Sequence, residues 1–395
     1  MGAAIALARD GHDISLFDRF AAPSAVGAGL LLQPSGLEAL AALGLRDQIE
    51  ASGARVTSLV GQTPKGKRVL DLSYERWAPH CHGLGVHRHT LFNTLYEATM
   101  KTGIAVRSGT EIVRIDTPHR PVLIDAAQNA HGPFDLAIVA NGAASTLRDR
   151  LLPKARAPLY PWGAIWTIRP DETGEWDNVL AQVYAGAHVM IGVLPVGKAP
   201  GSSGKHVALF WSLREDRYGA WRDAGMESWR REIASYWSEA ARLLDGFSDF
   251  AALPYARYRD VQAWPWGVGS TLLLGDAAHA TSPQLGQGAN LALSDAVALA
   301  AALKANGAVA PALVNYRRAR AGPVAWVQFM SAALTPVFQS RSRFIGWTRD
   351  VLLGPLSSYW PFSRLMLATL TGSAKLPLAI QLSTVAKFLV RNRRA

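Results

Sequence analysis

Residues Ser270 to Leu303 read STLLLGDAAHATSPQLGQGANLALSDAVALAAAL. The apolar run Leu272–Leu274 is too short for a helix and stops at Gly275-Asp276, as a buried strand does. Small residues, Pro283, Gly286 and Gly288 follow, which is turn chemistry. From about Ala289 the apolar residues Leu291, Ala292, Val297, Leu299 and Leu303 fall near helical spacing, with few branched side chains to oppose it. The stretch therefore predicts a strand, a glycine-rich turn and a helix. A helix that starts at such a turn presents unpaired amides and a positive dipole end to a phosphate or an electron-rich ring. Asp276, at the strand end, can accept hydrogen bonds from the hydroxyls of a polyol, and Gly286 and Gly288 let backbone approach a flat ligand.

A strand-turn-helix unit that binds nothing is the plain alternative, and for a lone Gly-Asp pair it would be preferred. The run GDAAHATSPQLGQGANLAL is much longer than that. It resembles the second flavin motif of the FAD-dependent aromatic-ring monooxygenases, the family of para-hydroxybenzoate, salicylate and ubiquinone-pathway hydroxylases. The resemblance implies that Asp276, Pro283, Gly286, Gln287, Gly288, Ala289 and Asn290 hold FAD.

At 395 residues the chain can form one large domain or two, and 49% apolar content supplies an ample core. No stretch of about 18 uninterrupted apolar residues occurs, so a spanning helix is not expected. The opening MGAAIALARDGHD has no basic leader before its apolar run, and a secretion signal is not expected. Cys81 is the only cysteine, which excludes an intrachain disulfide and suits a reducing, cytoplasmic compartment. The net charge of +11 is confined to residues 311–395, where twelve Lys and Arg face a single acid, Asp350. Aromatic residues such as Phe344, Trp347, Tyr359 and Trp360 are interleaved with them. No nucleic-acid motif accompanies this charge, so a nucleic-acid partner is not expected. A basic end on an amphipathic helix, with Lys387, Arg391, Arg393 and Arg394, instead suggests peripheral contact with an anionic membrane. Helices packed on the flavin domain with merely solvated Arg side chains are the alternative.

Earlier in the chain, residues 3–10 predict a small-residue helix stopped by Gly11, then a strand HDISLF and Asp18-Arg19. An acid at the end of a second strand receives ribose hydroxyls in a dinucleotide fold, so Asp18 and Arg19 are candidate cofactor residues. The GxGxxG loop would lie about eleven residues before Gly11, immediately ahead of Met1. A start of translation upstream is the expectation, a defective fragment the alternative. Gly27-Ala28-Gly29 predicts a turn before a short strand and helix, and residues 55–73 predict a hairpin. His87-Arg88 opens a helix and resembles the family's HR entry, which implies Arg88 beside the flavin's phosphate and ribityl region. FDLAIVANGAASTLRDRL resembles the family's DG motif through Gly142, Ser145 and Arg148. Asn141 stands where Asp is usual, so contacts to FAD or the nicotinamide donor lose a charge there.

Between Leu159 and Trp266 the pattern turns to strands, with one helix over residues 225–244, and no nucleotide motif. This block resembles the family's substrate domain, and Trp166, Tyr184, Met190 and Trp211 are candidates to line its pocket. The expected class is α/β: a Rossmann-like FAD-binding domain with an inserted, mainly antiparallel substrate domain and a helical C-terminus. The expected divisions are a flavin domain in two parts, 1–155 and 267–338, a substrate domain, 156–266, and a basic helical region, 339–395. The resemblance implies a hydroxylase in which NADH or NADPH reduces FAD and a flavin C4a-hydroperoxide hands oxygen to an aromatic or lipid-like, electron-rich substrate. No catalytic acid or base is identifiable, and no metal is expected. A halogenase would carry a WxWxIP segment, but Trp162 and Trp166 are four apart with no Ile-Pro after them. A reductase on the same scaffold and a flavin-binding relic are the remaining alternatives.

Overall fold

The computed structural model describes residues 1–395 apart from 23–28, 118, 200 and 377–395. The Gly27-Ala28 turn and the basic residues Lys387, Arg391, Arg393 and Arg394 thus lie outside the described residues.

The helix Gly2–Arg9 ends where Gly11 takes a φ of 87°, and the strand Ser15–Phe17 follows, paired in parallel with Ala105–Arg107. A second parallel pair joins Ala137–Val139 to Thr271–Leu273, and the latter also pairs antiparallel with Gly267–Val268. The two parallel pairs lie in separate hydrogen-bonded sheets. Behind them runs the helix Gly288–Asn306, whose small residues permit close helix packing: a Cβ on Gly2 would sit 3.4 Å from that of Ala296. Leu272, Leu273, Leu299, Leu313 and Val324 are fully buried in the core so formed. By length and composition both Gly288–Asn306 and Val309–Phe338 could cross a membrane, unlike the expectation from uninterrupted apolar runs. Both pack into this core, which explains their apolar content.

The second layer is a seven-stranded sheet in the order Tyr255–Arg259, Leu159–Pro170, Lys205–Arg214, Val189–Lys198, Val179–Ala185, Ser58–Gln62, Arg68–Ser73. The last two strands are the hairpin expected within the flavin-binding part. They are hydrogen-bonded instead onto the sheet of the 156–266 block, through parallel pairing of Ser58–Gln62 with Val179–Ala185. The division at residue 155 is corrected accordingly. Spatial pairing along an open sheet edge, not chain continuity, decides which layer a hairpin joins.

The sheet's outer face is covered by Tyr218–Tyr236, kinked at Gly225 (φ 77°), and by the short helix Ser238–Arg242, where one helix was expected. Trp211, Trp221 and Trp229 fill that outer core. Its inner face meets the first layer across the strand Gly83–His87. There a Cβ on Gly85 would collide with the Pro195 carbonyl oxygen, so only glycine lets the two backbones cross. Gly85→Ala is expected to cost roughly 1–3 kcal/mol by overpacking. Urea unfolding checks this, and an unchanged midpoint would show that the joint is slack.

Candidate functional site

The parallel pairing of Ala137–Val139 with Thr271–Leu273 continues as Leu274 N–H donates to Val139 O at 3.0 Å. Asn141-Gly142 and Gly275-Asp276 therefore leave the same edge of the sheet side by side, at the carboxyl ends of their strands, where α/β sheets bind ligands. Asn141 is exposed, and Gly142 turns the chain with a φ of 85° beside open space. The Ser145 hydroxyl caps the next helix by accepting from Arg148 N–H at 3.0 Å. The buried Arg148 guanidinium donates to Ala143 O at 2.8 Å and closes the turn.

Asp276 is exposed to solvent, yet surrounding protein pushes its carboxyl pKa up by desolvation. His279 and Arg88 oppose the shift by attraction, and Asp295 adds to it. Arg88 opens the helix Arg88–Lys101, is exposed, and makes no ion pair among the described residues. It also lies within electrostatic reach of Tyr258, a phenol raised mainly by burial, whose oxygen accepts a long 3.4 Å hydrogen bond from Trp166 Nε1. Arg88, Asp276, Tyr258 and Trp166 are thus neighbours drawn from four separate segments.

Beneath the turn lies a buried ionic cluster that the sequence reading missed. Asp295 is 0% exposed; its Oδ2 meets His279 Nε2 at 2.6 Å and accepts from Gly275 N–H at 3.2 Å, while its Oδ1 accepts from Arg320 Nε at 2.6 Å. Burial alone would raise the Asp295 carboxyl, but the attraction and hydrogen bonds of His279 and Arg320 outweigh it and hold it at about 2. The signal available was a lone Asp inside an apolar helix, four residues after Leu291 and facing the same side. The cluster pins the Gly275-Asp276 backbone to the helix behind it.

The loop between these elements forms a short 3₁₀ turn, Pro283–Leu285, then Gly286 at a φ of 60° with nothing near its absent Cβ. Two of the loop residues expected at the cofactor, Gln287 and Asn290, direct their side chains into the protein. Gln287 is buried and its Nε2 donates to the Thr369 and Leu370 carbonyls, at 3.2 and 2.6 Å, near the end of the helix Trp360–Thr371. Asn290 is fully buried: its Oδ1 accepts from Gln33 N–H at 2.9 Å and its Nδ2 donates to Leu31 O and Gly286 O. Both amides shape the loop, because a buried amide must satisfy its polar atoms locally. What faces outward is backbone. The helix Gly288–Asn306 starts without a side-chain cap, so its first-turn amides remain available, and a Cβ on Gly288 would meet only Asp276 Oδ1, at 3.6 Å. A glycine-rich turn, free helix amides, an exposed carboxylate and an Arg in no ion pair among the described residues form a donor and acceptor set that fits a flavin.

Of the four expected pocket residues, Trp166 and Met190 lie half-buried on the inner face of the seven-stranded sheet, beside Phe210. Trp211 does not. It alternates to the opposite face and packs against Tyr236 of the outer helix, since successive strand residues point to opposite sides. Tyr184 shares the inner face but is sealed under the C-terminal helices, with Phe338 at 5.0 Å and the Arg349 guanidinium 4.9 Å above its ring. A polar group on that inner face was not anticipated. Tyr160 OH and Gln284 Nε2 both donate to Gln339 Oε1, and Gln339 Nε2 donates to Ser212 Oγ at 2.7 Å. Burial pushes the Tyr160 phenol up to about 12. Four residues spread over 180 positions carry no periodic signal by which to find them.

Asp18 and Arg19 stand at the end of the Ser15–Phe17 strand, in the other parallel sheet. Asp18 Oδ1 accepts from Phe20 N–H at 2.8 Å and Arg19 lies over the Phe20 ring; no bond joins either to the Asp276 group. A surface cleft of about 380 Å³, bordered by Gly53, Arg55, Asp177, Gly197 and Lys205, shares no residue with the set around Asp276.

Comparison with known proteins adds to this geometry. The family model described as an FAD binding domain matches residues 1–330. The chain is 25% identical over 368 residues to the aurachin C monooxygenase/isomerase of Stigmatella aurantiaca, covering 90% of this chain and 91% of the relative. It is 30% identical over 338 residues to the 3-amino-4-hydroxybenzoate 2-monooxygenase of Streptomyces cremeus, covering 80% and 79%. Among solved structures, Klebsiella pneumoniae HpxO complexed with FAD and uric acid matches with a TM-score of 0.77 over 94% of this chain and 94% of that one; at 19% identity this shows likeness of fold.

Proposed function

We propose, from the premise that this chain belongs to the FAD-binding domain family and is an FAD-dependent monooxygenase, that it inserts one oxygen atom of O2 into an electron-rich aromatic or N-heteroaromatic ring, using NADH or NADPH. Supporting the substrate class, relatives of the chain include the aminohydroxybenzoate monooxygenase above and a 2-heptyl-3-hydroxy-4(1H)-quinolone synthase of Mycobacteroides abscessus, 27% identical over 372 residues. When bound, the flavin would take electrons from the nicotinamide, activate dioxygen and supply the oxygen atom.

The chain's own residues would bind, orient and keep dry. Asp276 would accept hydrogen bonds from the cofactor's polyol, and the amides opening the Gly288–Asn306 helix would stabilise negative charge on an adjacent ring. Arg88, in no ion pair among the described residues, would offset cofactor phosphate charge. Asn141 would accept a hydrogen bond without contributing charge. Trp166, Met190 and Phe210 would present an apolar wall to a flat substrate. Tyr160, its phenol held at about 12, keeps its proton at neutral pH, donating to Gln339 Oε1 while accepting from Gln284 Nε2 at 3.3 Å.

The observation carrying this reading is the convergence of Asp276, a helix terminus with uncapped amides, Arg88 and the Trp166–Tyr258 pair at the carboxyl ends of the parallel strands. The test is to purify the protein with its flavin and screen hydroxylated benzoates and quinolones for acceleration of NAD(P)H oxidation. Isotope-labelled dioxygen should then appear as one labelled atom in the product. Product formed without label would sink the monooxygenase assignment and favour a reductase on this scaffold.

A further inference from the structure

The helix Arg343–Ser358 is built inside out. Its inward stripe is Gly346, Arg349, Leu353 and Ser357, while Phe344, Trp347, Val351, Leu352 and Leu356 point outward. Phe344 is 70% exposed and Trp347 62%, and the turn into the next helix adds Tyr359 and Trp360 at 62% and 69%. A water-facing helix shows the reverse arrangement. Rotation cannot correct it. Gly346 and Gly354 press against neighbouring backbone: a Cβ at Gly346 would come within 2.7 Å of Ala187 N, and one at Gly354 within 2.6 Å of Arg68 O. Arg349 is locked inward, paired with Asp350 at 2.6 Å and stacked over Tyr184 and Phe338. The apolar face is therefore held outward by the fold, and no charged residue interrupts its exposed positions between Phe344 and Trp360.

A groove of about 250 Å³ borders this face, lined by Arg76, Ser358, Trp360, Ser363, Arg364 and Leu367. Arg364 lies 5.1 Å over the Trp77 ring and 6.0 Å from that of Trp360. Neither Arg76 nor Arg364 makes an ion pair among the described residues. Apolar aromatics beside unpaired guanidinium groups and serine hydroxyls match the interface of an anionic phospholipid bilayer, with acyl chains on one side and phosphate on the other.

We infer that the Arg343–Ser358 and Trp360–Thr371 helices form a peripheral membrane-docking face, with the Arg76–Arg364 groove receiving the phosphate of an anionic phospholipid. A second copy of the chain fits less well, because two-fold self-pairing sets the same patch against itself and brings like charges together. The excess of Lys and Arg over acids across residues 311–395 favours the same anionic partner. The inference does not depend on the flavin chemistry.

The test is flotation of the flavin-loaded protein with vesicles of phosphatidylcholine alone and of phosphatidylcholine with phosphatidylglycerol. Binding is expected only to the second kind, weakening as salt rises. Trp347→Glu should abolish it, and Arg76→Gln with Arg364→Gln should weaken it about thirtyfold, both with unchanged flavin content and melting temperature. No binding at low ionic strength overturns the inference. So does binding that survives both variants and is lost only when Lys387, Arg391, Arg393 and Arg394 are neutralised. A vesicle-free dimer that Trp347→Glu dissociates would reassign the face to contact between copies.

Discussion

Replacing Asp295 with alanine is expected to lower the unfolding free energy by about 3–5 kcal/mol, because it strands a buried Arg320 without its counter-charge and leaves His279 without its hydrogen-bond partner. Asp295 is wholly enclosed, so solvent screening does not weaken this argument. Asp295→Asn should cost less, since an amide oxygen still accepts one hydrogen bond, but it leaves the Arg320 charge uncompensated. The same cluster sets an acid limit. The folded carboxyl, at about 2, lies below the ordinary unfolded value of about 3.9. Its contribution is therefore complete above the unfolded value and is lost as pH falls from there through the folded one. Urea titrations at a series of pH values should show a shallower acid-side decline in Asp295→Ala than in the wild type. A variant within about 0.5 kcal/mol of wild type would mean that the cluster does not stabilise the turn.

Asp276→Ala should weaken FAD binding by about ten- to a hundredfold, the worth of hydrogen bonds to a charged acceptor of about 1.5–3 kcal/mol. It should do so without unfolding the protein. Burial raises the Asp276 carboxyl, so its ionised form is a cost to the flavin-free fold, and that cost grows as pH rises above the unfolded value. Stability of the flavin-free variant should therefore match or slightly exceed that of the flavin-free wild type at neutral pH. The measurements are flavin retention by visible absorbance and thermal unfolding after flavin removal. Full flavin occupancy in the variant would remove Asp276 from the binding set, and loss of the folded state would show that its role is structural. Opposite signs for the two aspartates, one holding the fold and one burdening it, separate support from function within one strand-turn-helix unit.

Asp276, Gly286 and Gly288 were readable because the turn, the strand before it and the helix after it are local, and local chemistry repeats along the chain. Trp211 was misplaced although its strand was recognised. Strand alternation says that neighbours point apart, but not which side faces the ligand, and the outer helix settles that. The sequence places Gln287 and Asn290 in the loop but does not reveal that their side chains are spent on holding its shape. Their partners, Thr369, Leu370, Leu31 and Gln33, lie far away in sequence.

By itself, then, the sequence determined the strand-turn-helix at Gly275–Asn306, the sheet-rich insertion from Leu159 and the family to which both belong. These rest on short-range propensity and on motif spacing, which survive without knowledge of neighbours. Only the tertiary structure decided that the Ser58–Ser73 hairpin joins the seven-stranded sheet, that Asp295 anchors the Gly275-Asp276 turn, and that the Arg343–Ser358 helix turns its aromatic side outward. In each case the deciding interaction is a close approach between distant segments: an open strand edge, a buried charge, a glycine pressed on backbone. Such contacts leave no periodic trace in the chain, because packing selects them after the local elements have formed.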